Sequence, residues 1–214
     1  MSENTGQNPG TVGSSAADEA RPLQEYVYRG RTITSNGEDT VTTTYNSLES
    51  LLKGADLYDD GAFLTEILPF FNSMHLQNDY KVSVYMELLD RICDWRFPNL
   101  TREMGREEAG RLTFRGFRRT ILGRVVLASL GMIGPERLIK LAPSLFKRVV
   151  DAPDCSVKQT GPYSYIFDYP NASGTYEDKI GIFKEALEQA GAGNVQCEVK
   201  ILTSRHWEFW LEWK

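Results

Sequence analysis

Histidine and cysteine are scarce in this sequence: His75 and His206 are the only imidazoles among 214 residues, and Cys93, Cys155 and Cys197 the only thiols. The cysteines are odd in number, far apart and never in a C-x-x-C arrangement. That spacing excludes a zinc ribbon and argues for three reduced thiols rather than a disulfide framework. Two isolated histidines leave no material for a multi-histidine metal site or a catalytic triad. Long apolar runs are missing as well. Thr120–Ala128, with Arg124 inside it, is much too short to span a bilayer. Excess positive charge is absent: the formal net charge is −5, and no helix-turn-helix or zinc pattern accompanies the basic residues, so duplex nucleic acid is not an expected partner. The N-terminus lacks a basic segment followed by an apolar one, which leads to an expected cytoplasmic location. No nucleophile sits in a recognisable catalytic pattern. Gly191-Ala192-Gly193 follows a helical segment and precedes a strand, the reverse of a dinucleotide-binding loop. The sequence therefore reads as a non-enzyme with no metal site, and it leaves the cofactor unknown.

What is present organises the chain into a tail and one domain. With 41% hydrophobic residues the chain can bury a substantial core. Residues 1–25 are Ser-, Gly-, Asn- and acid-rich and predict a disordered tail; residues 26–214 predict a single α+β domain. Within it, residues 26–45 form an extended arm or hairpin about Ser35-Asn36-Gly37. Residues 46–150 form a helical half. Leu48, Leu51 and Leu52 mark a first helix, and Phe63, Ile67 and Phe70 a second that Pro69 interrupts. Asp79 is placed to cap a longer helix carrying Tyr85, Leu88, Leu89 and Ile92, which ends before Pro98. Thr101 opens another, whose pattern extends to Leu130 with Phe114, Phe117, Ile121, Val125 and Ala128 on one face. Pro135 suits the first turn of a further helix. In residues 151–214 the period changes to two, apart from one helix capped by Thr175. The resulting ββαββ pattern predicts a four-stranded, mainly antiparallel sheet with one crossover helix, covered on one face by the helical half.

Two features stand out as candidate binding residues. Between Arg102 and Arg124 lie seven arginines against three glutamates, a local excess of four positive charges in an acidic chain. Arg111, Arg115 and Arg118 share one helical stripe with Gly116 nearby, a spacing that suits planar bidentate contacts to an anionic ligand or an acidic protein partner. The alternative is a charged face paired with acidic neighbours across a domain or subunit contact. Glycines 110, 116 and 123 let a helix or a ligand approach closely. On the last strand Trp207, Phe209 and Trp213 point inward by period two, whereas Trp210 falls on the opposite face, exposed unless the arm, a second subunit or a ligand covers it.

The segment Gly110–Val126, G-R-L-T-F-R-G-F-R-R-T-I-L-G-R-V-V, followed by Gly134-Pro135-Glu136-Arg137-Leu138, resembles an uncharacterised paralogous family abundant in myxobacteria. The likeness takes in Leu48–Leu52, Leu187–Val195 and the terminal aromatic strand to Trp213. That family implies no assigned activity; its β-α-β end is similar to haem nitric-oxide-binding and 4-vinyl-reductase-like ligand-binding modules. The expectation is a non-catalytic regulatory module in bacterial signalling, sensing a small hydrophobic or anionic ligand or mediating protein interaction as a homodimer or with an acidic partner. The alternative is a pure adaptor with a filled core.

Overall fold

A computed structural model describes residues 24–28, 31–35, 42–71, 79–129, 134–149 and 155–214. Of the expected tail, residues 1–25, the first 23 lie outside the described residues, as does His75, and Gln24 and Glu25 fall in the first strand. Contacts divide the chain into a small unit, Met1–Glu38, and a main unit, Asp39–Lys214. In the small unit β1 (Gln24–Tyr28) pairs antiparallel with β2 (Arg31–Ser35), closing at Tyr28 opposite Arg31. β1 and β2 pair with each other, and of the expected turn Ser35-Asn36-Gly37 all but Ser35, the last residue of β2, lies outside the described residues.

The main unit begins with β3 (Thr42–Thr44), followed by α1 (Tyr45–Gly54) and α2 (Gly61–Phe71). Helix α2 runs through Pro69 rather than being interrupted there. β4 (Asp79–Lys81) then pairs antiparallel with β3, so Asp79 is a strand residue and not the cap of the following helix, α3 (Val82–Arg96). Thr-rich β3 supplies a partner strand that the local sequence around Asp79 does not reveal.

Thr101 caps α4 (Arg102–Phe117), its hydroxyl accepting from the Met104 amide at 3.3 Å. The expected continuous helix to Leu130 is broken: α4 ends at Phe117 and α5 (Ile121–Ser129) begins afresh. Thr120 makes the break. Its fully buried hydroxyl donates to the Phe117 carbonyl and accepts from the Gly123 amide at 2.9 Å, a capping geometry that competes with helix continuation. Consequently Phe114 and Phe117 point inward while Ile121 and Val125 are 75% and 64% exposed, and the predicted common face does not form.

After α6 (Pro135–Val149) come β5 (Ser156–Gly161), β6 (Ser164–Pro170), α7 (Tyr176–Gln189), β7 (Gln196–Thr203) and β8 (His206–Glu212). The sheet order is β5-β6-β8-β7, antiparallel throughout. Helix α7 ends at Gly191, whose φ of +97° is the left-handed terminus that glycine adopts without strain. Tyr165, Phe167 and Tyr169 on β6 and Trp207, Phe209 and Leu211 on β8 alternate inward and meet Phe183 and Leu187 of α7 and Ile139 of α6 in one core. A second core joins α1, α3 and α4 through Leu48, Leu51, Leu88, Leu89 and Ile92. The predicted α+β architecture, a helical half against a ββαββ sheet, is the fold observed.

Candidate functional site

Helix α4 lies between two helices that touch its backbone. A Cβ on Gly116 would stand 1.7 Å from the Ser50 carbonyl oxygen of α1, and one on Gly181 of α7 would stand 1.9 Å from the Glu107 carbonyl oxygen of α4. Such approach is open only to glycine. The glycines singled out in α4 therefore admit neighbouring helices.

The arginines follow the same geometry. Toward α3, Arg106 makes a bidentate pair with buried Asp90, with Nε–Oδ1 at 3.0 Å and Nη2–Oδ2 at 3.2 Å. Toward α7, Arg115 grips Glu185 with Nε–Oε1 at 2.7 Å and Nη2–Oε2 at 2.8 Å, Arg111 grips Glu188 at 2.7 and 3.3 Å, and Arg118 donates to Gln189. The three arginines thus lie along one seam with α7, and an external anion would compete with carboxylates already there. Burial pushes the Glu185 carboxyl upward, but hydrogen bonds from Arg115 and Gln189 and the charges of Arg115 and Arg111 outweigh it and hold the group below its ordinary range.

On the other side of α7 the packing is open. A cavity of about 130 Å³ lies among α1, α3, α4, α6 and α7. Its walls are apolar for the most part: Phe114 and Phe117 of α4, Leu138, Ile139, Ala142, Leu145 and Phe146 of α6, and Ile182, Phe183, Ala186 and Leu187 of α7. Phe146 stacks on Phe183 at 5.6 Å between ring centres.

One part of the wall is polar and carries Ser47, Ser50, Tyr85, Thr113, Ser173 and Lys179. Behind it Asp178, with no exposed surface, receives the Lys179 ammonium at 2.7 Å, the Tyr85 hydroxyl at 3.2 Å and the Thr175 hydroxyl at 3.1 Å. Burial, reinforced by the Asp178 charge, drives the Tyr85 phenol well above its ordinary ionisation, so it stays a neutral donor.

Sequence reasoning did not single out Asp178 or Lys179 because adjacent charges in the first turn of an amphipathic helix usually face water. A signal existed. Lys179 precedes Ile182, Phe183 and Ala186 by three, four and seven residues, extending the apolar stripe of α7 by one turn.

Trp210 is 45% exposed on the outer sheet face, its indole donating to Glu208 at 3.2 Å. His206 opens β8 and is bonded to Asp168 at 2.6 Å. Burial pushes the Cys93 and Cys197 thiols up to about 12, so neither is an activated nucleophile. Among the described residues no cluster of three His, Cys, Asp or Glu side chains is placed to hold a metal ion, and no helix is long and apolar enough to cross a membrane.

Several solved structures share this architecture. A variant H-NOX protein from S. oneidensis in the Fe(II) ligation state is 12% identical, with 79% of this chain and 94% of that one covered at a TM-score of 0.57. A variant of T. Tengcongensis H-NOX is 11% identical over 78% of this chain and 95% of that one, at 0.56. An oxygen-binding H-NOX domain related to soluble guanylate cyclases is 10% identical over 79% and 92%, at 0.58. These likenesses establish an H-NOX-like fold. No curated protein matches the chain. The family model described as protein of unknown function (DUF2378) matches residues 71–214, from the end of α2 through the last strand, and the chain belongs to that family.

Proposed function

We propose that the chain is a non-catalytic regulatory module that senses a small molecule in the apolar cavity against α7. The observation that carries this reading is the cavity itself: an apolar void walled by both halves of the fold, with a few polar residues in its lining, has the form of a ligand site. Helix α7 is the element that would report occupancy. One of its faces lines the cavity while another presents Glu185, Glu188 and Gln189 to Arg115, Arg111 and Arg118 of α4, so a ligand that moves α7 loads or releases the charged seam.

The H-NOX relatives are described with Fe(II) and with bound oxygen. The described lining does not fit an iron porphyrin. It holds no histidine, cysteine or methionine, and its one phenol, Tyr85, is kept protonated and bonded to Asp178. An apolar cavity of roughly 150 Å³ takes benzene or xenon, and the present one is of that order.

A thermal-melting experiment with toluene tests the reading. Toluene should raise the melting temperature of the wild-type protein, and should leave that of Ala142→Leu, which fills the cavity, unchanged. No rise in the wild type, or an equal rise in both, would sink it. A second reading, an adaptor that binds a protein partner, is favoured by one observation, the exposed indole of Trp210 on the outer sheet face.

A further inference from the structure

We infer that the ligand is a neutral molecule about the size of a substituted benzene, carrying one hydrogen-bond acceptor to which the Lys179 ammonium donates. The inference rests on the reading of the cavity as a ligand site and adds its chemistry.

Size comes from the void. A space of about 130 Å³ lined by phenyl and aliphatic side chains accepts a single aromatic ring.

Polarity comes from counting protons at the polar wall. The Thr113 hydroxyl donates to the Ala109 carbonyl at 2.9 Å, the Ser50 hydroxyl donates to the Asn46 carbonyl, and the Tyr85 hydroxyl donates to Asp178. These three hydroxyls have spent their hydrogens within the protein, and of the wall's donors the ammonium alone is charged. The Lys179 ammonium has three donors. One goes to Asp178 at 2.7 Å, and the Tyr85 ring stands 5.6 Å away. The side chain is 8% exposed and lines the cavity, so water does little to satisfy the rest. An acceptor on the ligand completes the ammonium's hydrogen bonding.

Charge excludes the alternatives. Asp178 and Lys179 already cancel within the buried wall. A carboxylate ligand would bring a second anion to the same ammonium beside Asp178, with apolar walls to raise the repulsion, and a cation would face Lys179 itself. A carbonyl or ether oxygen incurs neither penalty. This sets the cavity apart from the arginine seam, whose guanidiniums would prefer an anion.

Calorimetric titration of the wild-type protein with ethylbenzene, acetophenone and benzoate, three probes of similar shape, decides the matter. Acetophenone should bind about ten-fold tighter than ethylbenzene, and benzoate more weakly than acetophenone. Ethylbenzene binding as tightly as acetophenone would overturn the inference and leave the ligand cavity standing, and benzoate binding tightest would do the same. Failure of all three to bind would overturn both readings. The paired change Asp178→Asn with Lys179→Met keeps the wall neutral. It should bring the acetophenone preference down to about one while ethylbenzene still binds, and a preserved preference would assign the acceptor contact to another group.

Discussion

Helix α7 meets its two helical neighbours in opposite ways. Against α4 the backbones touch through Gly110 and Gly181, and charged side chains close the edges of the seam. Against α6 the contact runs through large side chains, Phe146 on Phe183, and a void remains. Glycine contacts fix a separation set by backbone atoms and leave nothing to fill. Contacts between aromatic rings hold helices further apart and depend on shape, so a gap survives wherever the shapes fail to interlock. One helix therefore carries a rigid face and an adaptable face.

The most severe test of the rigid face is a single methyl group. Gly181→Ala places its Cβ against the Glu107 carbonyl, and because that neighbour is backbone the helices must separate. We expect a loss of about 3 kcal/mol, a fall of roughly 6–12 °C in melting temperature for a domain of this size, measured by circular dichroism. A loss below about 1 kcal/mol would show that α4 and α7 slide freely.

The next effect concerns the charges along the same seam. Glu185→Gln should cost about 1–2 kcal/mol at neutral pH, reduced from a fully buried pair because Arg115 is half exposed. The folded carboxyl titrates below its ordinary 4.5, so its contribution is complete above that pH and disappears as pH falls through the lower, folded value. Denaturant melts of wild type and variant should differ by a constant amount from pH 7 to 5 and converge below about pH 4.5. A constant difference down to pH 3 would assign the stabilisation to something other than ionised Glu185.

The smallest expected change has the opposite sign and belongs to the adaptable face. Ala142→Leu should raise stability by roughly 1 kcal/mol by filling the void. A destabilised Ala142→Leu protein would mean that α6 and α7 are already as rigid as α4 and α7, and the contrast between the faces would vanish.

Much of the fold was readable from periodicity. Tyr165, Phe167 and Tyr169 alternate, Leu88, Leu89 and Ile92 recur at helical spacing, and both patterns match the observed burial. What escaped had non-local causes. Asp79 looks like a cap until Thr43 and its neighbours pair with that strand. Thr120 reads as a tolerable helix residue, yet buried between Phe117 and Gly123 its hydroxyl ends one helix and starts the next. At the site, the arginine stripe was legible as a unit, but its partners lie some seventy residues away on α7, beyond the reach of any spacing rule. Lys179 was hidden by its charge, because only the position of Asp178 behind it makes a buried ammonium tolerable.

The place of α1 also decides how the protein can be cut. The family match begins at residue 71, but Leu48 and Leu51 are fully packed in the helical core, and Ser50 lies against Gly116. A fragment trimmed to residues 71–214 would lose one wall of the cavity and present the glycine-bearing face of α4 to water, with Leu88, Leu89 and Ile92 stripped of their cover. Such a fragment would be soft to proteases along α4. The smallest piece that can stand as the physical module starts at or before Tyr45, ahead of the matched residues 71–214.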